Sequence, residues 1–288
     1  MKSPSRLPAV GLAVAGFTSW VFSDTLMKLV TEADLPPYEV VAFLYLFATV
    51  MMMVKGAAQG SLMALWPRRP GRQFLRTALA LASGMANIVA LKGLPLTLFY
   101  TAVFTAPMVI SVLAVLFLGE RLQRAQVIAI VAGFAGVLIA IDPRGNVLQG
   151  EGTGYAAVFV SVLCFSASAV WLRVITRSET TDSIAFFSCL VGALVCGGLM
   201  MWHAVPVTPA ILLLLLAAAV FTLIGQLCNF TAMRLVTAAT VSQFHYTQIV
   251  AGAVLGFLIW HDVPTLHMVV GAAVIVAAGL YIAALTRA

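Results

Sequence analysis

Asp24, His245 and a scatter of amides interrupt long apolar runs, and they are the groups in this chain best equipped for chemistry. Trp20, Ser23, Asp24 and Met27 recur at spacings of three and four, which places them on one face of a helix. A carboxylate on that face could hold a substrate ammonium or pass a coupling proton. It could equally hydrate itself near the helix end or pair with Lys28, four residues on. His245 stands in the run Gln243-Phe244-His245-Tyr246-Thr247-Gln248, where apolar residues are expected. Its imidazole could bind a carboxylate, relay protons or serve as a hydrogen-bonded packing group. Asp24 and His245 are therefore the candidate coupling residues, with Gln243 and Tyr246 beside the histidine as candidate binding groups.

Three further polar sets share helical faces. Ser83 and Asn87 lie one turn apart, and Thr222, Gln226 and Asn229 form a stripe at spacings of four and three. Amides in an apolar setting need partners, so these groups either bond between helices or face a wet pathway. Trp20, Tyr45, Phe99, Tyr100, Phe165 and Trp171 could add ring-faced walls to such a pathway. Trp66, Trp202 and Trp260 sit near helix ends, where aromatic residues anchor at an interface.

Other chemistries find little support. His203, His245, His261 and His267 offer no helical pair at metal spacing with an acidic third ligand, and no serine-histidine arrangement stands out. There is no phosphate-cradling loop, so direct use of ATP is not indicated, and nothing in the sequence requires a cofactor. Cys164, Cys189, Cys196 and Cys228 fall inside apolar stretches and read as small packing residues. The net charge of +6 comes from basic residues dispersed over connections, unlike a nucleic-acid surface. The expected class is a binding or transport protein and not an enzyme.

The elements that must position these residues are membrane helices. The chain has 288 residues, 62% hydrophobic and 9% charged, with mean hydropathy +1.06. About 20 apolar residues cross a hydrocarbon core. Ten spans are predicted at roughly 8–31, 37–56, 74–93, 96–118, 122–141, 153–175, 181–202, 208–233, 237–259 and 264–285. Runs such as Ile211 to Phe221 lack the alternation of a membrane barrel, so the expected class is all-α. Pro107 lies inside the fourth span and should break its hydrogen-bond ladder. The N-terminal stretch is expected to remain as the first helix, being too long for a signal-peptide core. With ten spans, most Lys and Arg residues, Arg76 and Arg234 among them, fall at one side, and only Lys28, Lys92 and Arg144 fall opposite. That bias places both termini in the cytoplasm.

Asn87, Lys92 and Glu120 recur as Asn229, Arg234 and Asp262, each 142 residues later. Gly11, Phe22 and Ser23 recur as Gly154, Phe165 and Ser166 at an offset of 143. Five spans per copy would turn the second copy upside down. The run from Ala90 through Thr97, Pro107 and Leu118-Gly119-Glu120-Arg121, with Gly133 and Gly136 beyond, resembles the EamA-type repeat of the drug/metabolite transporter superfamily. A more diverged copy passes through Ala232, Arg234, Asp262, Gly271 and Gly279, with Trp260-His261 where the repeat has Leu-Gly. The resemblance implies repeats at 1–141 and 152–288 and a pore lined mainly by the first, third and fourth helices of each. It also implies fifth and tenth helices that are mostly structural.

Within the superfamily, the length and span count are similar to the YddG-type aromatic amino-acid exporters. The implied activity is export of amino acids and related small metabolites across the bacterial inner membrane by alternating access. Extrusion of cationic drugs, with Asp24 as counter-charge, and passive channel-like flux are the alternatives. The expected partners are such metabolites and the lipid bilayer, with no nucleic acid. The sequence leaves the oligomeric state open and is compatible with a monomer.

Overall fold

Proline fixes where several of the helices begin, because its missing N–H costs nothing in a first turn. A computed structural model describes residues 6–31, 35–118, 124–141, 152–176, 178–202, 204–235, 241, 243–261, 263 and 265–285. In chain order the helices are α1 (Arg6–Thr31), α2 (Pro37–Ala58), α3 (Pro70–Gly93), α4 (Leu96–Val103), α5 (Ala106–Leu118) and α6 (Arg124–Ile141). They continue with α7 (Gly152–Ile175), α8 (Thr181–Met200), α9 (Pro209–Leu235), α10 (Thr247–Trp260) and α11 (Leu266–Leu285). Short 3-10 turns occupy Leu62–Leu65 and Gln243–Tyr246. No strand occurs among the described residues. Of the described helices, α1, α2, α3, α7, α8 and α9 are each long and apolar enough to cross a membrane.

The stretch read as a single fourth span is two helices. Pro107 cannot donate an amide proton, and its ring crowds the carbonyl four residues back. The ladder accordingly stops at Val103, and Thr105 begins a new turn by accepting the amides of Met108 and Val109 at 3.0 Å each. The Thr105 hydroxyl closes the old helix on the Ala102 carbonyl at 2.8 Å. At the same place in the second half, the 3-10 turn ending at Tyr246 gives way to α10 at Thr247. That break forms with Ile249 where the first half has Pro107.

Helix packing follows a two-fold pattern. The broadest pairings are α1 with α9, α3 with α7, α2 with α8, and α6 with α11. Exchanging each helix for its counterpart in the other half returns the same set. The α6 and α11 pair also touches α4, and α11 reaches the second 3-10 turn. Leu116, Phe117, Ile128, Val131, Phe159, Leu194, Leu213 and Leu258 are all more than 60% exposed, which in water would be costly and in lipid is not.

Polar ties hold the helix ends. The carboxylate of Glu179, between α7 and α8, accepts the backbone amides of Arg68 and Arg69 at 3.0 and 2.8 Å. Arg69 is the N-cap of α3 and supplies no side-chain cap of its own, so Glu179 caps that helix from another part of the chain. Arg234 at the end of α9 donates to the Glu179 carbonyl. Nearby, Lys55 pairs with Asp182 at 2.8 Å. Toward the opposite ends of α1 and α3, Lys28 Nζ donates to the Leu94 carbonyl at 2.7 Å and lies 5.2 Å from the Trp260 ring centroid.

Candidate functional site

The paired helices enclose a cavity of about 190 Å³. Its walls come from α1, α2, α3, α7 and α9, with Phe99 of α4, Ala106 of α5, His245 of the 3-10 turn and Gln248 of α10. Met27, Val41 and Ile88 lie toward one end, Leu172 and Met233 toward the other. Along α3 alone, from Arg76 to Ile88, the wall runs roughly 18 Å. Both helix breaks border it, through Val103 and Ala106 on one side and His245 and Gln248 on the other.

Small hydroxyl groups join the halves across this cavity. Ser23 of α1 donates to the Ala218 carbonyl at 3.1 Å and lies 2.6 Å from the Thr222 hydroxyl of α9. Ser83 of α3 meets the carbonyl and hydroxyl of Ser161 on α7 at 3.1 and 3.0 Å. Ser161 in turn donates to Asn87 Oδ1. Interhelical bonds of this kind contribute roughly 0.6 kcal/mol each in lipid.

An aromatic cage surrounds His245. The ring centroids of Phe17, Phe165 and Trp20 lie 3.9, 5.6 and 6.5 Å from the imidazole. Trp20 and Phe165 also meet edge to face, 6.2 Å apart. The indole is pressed against Gly225, where any Cβ would collide with it, and Tyr45 is pressed against Gly192 in the same manner.

Three buried polar atoms at this wall are unpaired. Asn229 commits its amide nitrogen to the Gly225 carbonyl at 3.0 Å, and Gln248 commits its own to the Phe17 carbonyl at 3.1 Å. Among the described residues, Asn229 Oδ1, Gln248 Oε1 and His245 Nδ1 then have no hydrogen-bond partner. A buried polar atom left unsatisfied costs on the order of 1–3 kcal/mol, so a ligand that pairs with these atoms recovers that energy. Two of the three can only accept, which favours a ligand bearing N–H or O–H groups.

Eleven of the residues singled out from the sequence line the cavity: Trp20, Ser23, Asp24, Tyr45, Ser83, Asn87, Phe99, Phe165, Gln226, Asn229 and His245. Trp171 does not. Its indole donates to the Arg72 carbonyl at 2.9 Å, which turns the ring toward the first turn of α3 and away from the cavity. The side chains of Tyr100, Gln243 and Tyr246 lie outside the described residues, as do Glu120 and Asp262. The wall also has contributors beyond the first, third and fourth helices of each half, because Val41, Leu44 and Tyr45 come from α2.

Arg76 corrects the charge count. Grouped with the cytoplasmic cations by its place near a span end, it is 6% exposed and faces the cavity. It donates to Ser188 of α8 and lies over the Phe230 ring at 5.0 Å. The sequence signal was a second arginine one turn beyond Arg72, where the helix turns apolar. Ser161 and Ser168, seven residues apart on α7, were also overlooked, for small hydroxyls in apolar helices are too common to stand out.

The profile of the EamA-like transporter family matches residues 7–141 and again 152–284. A riboflavin transporter of Rhizobium johnstonii is 29% identical, the alignment covering 92% of this chain and 84% of that one. The pseudopaline exporter CntI of Pseudomonas aeruginosa is also 29% identical, over 93% of this chain and 94% of that one. An S-adenosylmethionine uptake transporter of Rickettsia bellii is 24% identical, over 95% and 92%. One crystal structure superimposes with a TM-score of 0.72 at 20% identity, covering 96% of this chain and 98% of that one, which shows a shared fold.

Proposed function

The chain belongs to the EamA-like transporter family, a multi-pass protein of the bacterial inner membrane, and we propose that it moves small polar or amphipathic metabolites through the central cavity by alternating access. The observation that carries this reading is the cavity itself. It lies between exchange-related helices, combines an aromatic cage with unpaired polar atoms, and is bordered by both helix breaks. Discontinuous helices at a repeat interface are a recurrent setting for carrier sites.

The fuller architecture is ten spans in two inverted repeats with cytoplasmic termini. The two-fold pairing and the positive-inside bias support it. In that orientation, Glu179 with Arg68, Arg69 and Arg234 closes the cytoplasmic end, and Lys28 with Leu94 and Trp260 lies toward the outer end.

Amino-acid export is the narrower version and rests on the resemblance to YddG-type exporters. The relatives described above carry names for larger cargoes, all with ring or amine donors that Asn229 and Gln248 could accept. Cationic drugs are less well served, because the cavity that contains Asp24 also contains Arg76.

Purified protein in liposomes, loaded with unlabelled cargo and offered the labelled form, provides the test. The panel is amino acids, riboflavin and S-adenosylmethionine. Saturable counterflow of at least one member is expected. Flux without saturation or exchange would indicate a channel, and no flux of any member would remove the carrier assignment.

A further inference from the structure

Arg76 is a guanidinium without a counter-charge. Among the described residues, no carboxylate lies within ion-pair distance of it, and its Nε has no acceptor. The groups around it are the Ser188 hydroxyl, the Phe230 ring and, along the same stretch of wall, Tyr45, Ala80, Ser168, Leu172 and Met233. Taking a cation out of water into such surroundings costs several kcal/mol unless a partner compensates. One hydroxyl and one ring face compensate in part.

Holding α3 against α8 would not require a charge. The Thr77 hydroxyl already lies 3.4 Å from that of Ser188, and Gln73 Nε2 donates to the Ser183 hydroxyl of the same helix at 3.4 Å. A fork of N–H donors on a cavity wall matches the paired oxygens of a carboxylate or phosphate. On the carrier reading above, on which this inference rests, the cargo itself can supply those oxygens. We propose that Arg76 seats an oxyanion of the transported molecule, a carboxylate or a phosphate monoester, while its ring or apolar body extends toward Trp20, Phe165 and His245.

Matched pairs of probes test this in counterflow: indole-3-acetate against indole-3-acetamide, and uridine 5′-monophosphate against uridine. Wild-type protein should carry the charged member of at least one pair with tenfold or greater preference. Preference within the indole pair alone identifies the seat with carboxylates, and within the uridine pair alone with phosphates. Arg76→Gln should abolish the preference while still moving the neutral member, which also shows that the variant is folded. Arg76→Lys, with a point charge instead of a fork, should retain part of it.

Should Arg76→Gln not insert, weaker affinity for the acid in Arg76→Lys with unchanged affinity for the amide supports the seat, and unchanged affinity for both overturns it. Equal transport of charged and neutral members by the wild type overturns the anion seat and leaves the carrier reading standing. Transport of neither member of either pair, beside saturable counterflow of another cargo, overturns the seat alone. No counterflow of anything overturns both.

Discussion

Asn87 and Asn229 hold equivalent places in the two halves and have opposite hydrogen-bonding states. Asn87 accepts a proton from Ser161 of the other half, whereas Asn229 turns its amide nitrogen back to Gly225 and leaves its oxygen unpaired. The duplication thus supplied two amides, one of which joins the halves while the other keeps an unpaired oxygen. Asn229→Ala should weaken apparent affinity in counterflow by roughly 5- to 150-fold, the equivalent of about 1–3 kcal/mol for an unsatisfied partner. Asn87→Ala should instead lower the thermal midpoint in detergent with affinity changed less than threefold. The reverse pattern would show that Asn229 is structural.

Glycines packed against two of the cavity's rings make a steric prediction with an internal control. Gly225→Ala and Gly192→Ala place a methyl group into the rings of Trp20 and Tyr45. Each should cost about 1–3 kcal/mol as overpacking, despite the better helix propensity of alanine. Gly84→Ala meets the Tyr45 hydroxyl at 3.6 Å, an ordinary contact, and should be neutral or stabilising by up to about 1 kcal/mol. Midpoints from thermal unfolding in detergent rank the three. A Gly84 variant as damaging as the other two would show that close approach is not what these glycines provide.

Periodicity and repeats made the scaffold readable, because lipid leaves a helix few options and a shared offset exposes duplication. The polar residues lining the cavity were found for the same reason: Asp24, Asn229 and His245 are expensive in hydrocarbon unless they face something. Trp171 was assigned to the cavity because ring size says nothing about where an indole N–H finds its acceptor, and that acceptor, the Arg72 carbonyl, is 99 positions away in sequence. Arg76 was hidden for a related reason. A cation near a span end normally snorkels to the interface, and only the packing of α8 and α9 around it shows that it does not.

Glu179 makes a prediction about access. Its carboxylate satisfies two amides ahead of α3, and its backbone carbonyl receives Arg234. A glutamine has one acceptor oxygen and would turn its NH2 toward the second amide. Glu179→Gln should therefore lose about 1.5–3 kcal/mol of charge-assisted hydrogen bonding at this end. In a background freed of native cysteines, Ser168→Cys should react faster with an impermeant maleimide added on the side where Glu179 lies once Glu179 is replaced. Unchanged labelling would mean that this cluster does not control entry.

Asp24 and His245 share the cavity, and their surroundings predict different effects of replacing them. His245 is 4% exposed within a cage of three aromatic rings, a setting that gives little room for proton traffic. Asp24 lies seven residues from the end of α1 on the same wall and is the one carboxylate among the described residues that line the cavity. A pH gradient supplies about 1.4 kcal/mol per unit for each proton coupled, up to tenfold accumulation. Asp24→Asn should abolish gradient-driven accumulation while retaining counterflow, which needs no net proton movement. His245→Ala should lower affinity and leave the stimulation by the gradient intact. Both variants are read in one experiment, with labelled cargo in liposomes and the gradient imposed or collapsed by an ionophore. Gradient-driven rates unchanged in Asp24→Asn would exclude that carboxylate as the coupling group, and loss of stimulation in His245→Ala would transfer the role to the imidazole.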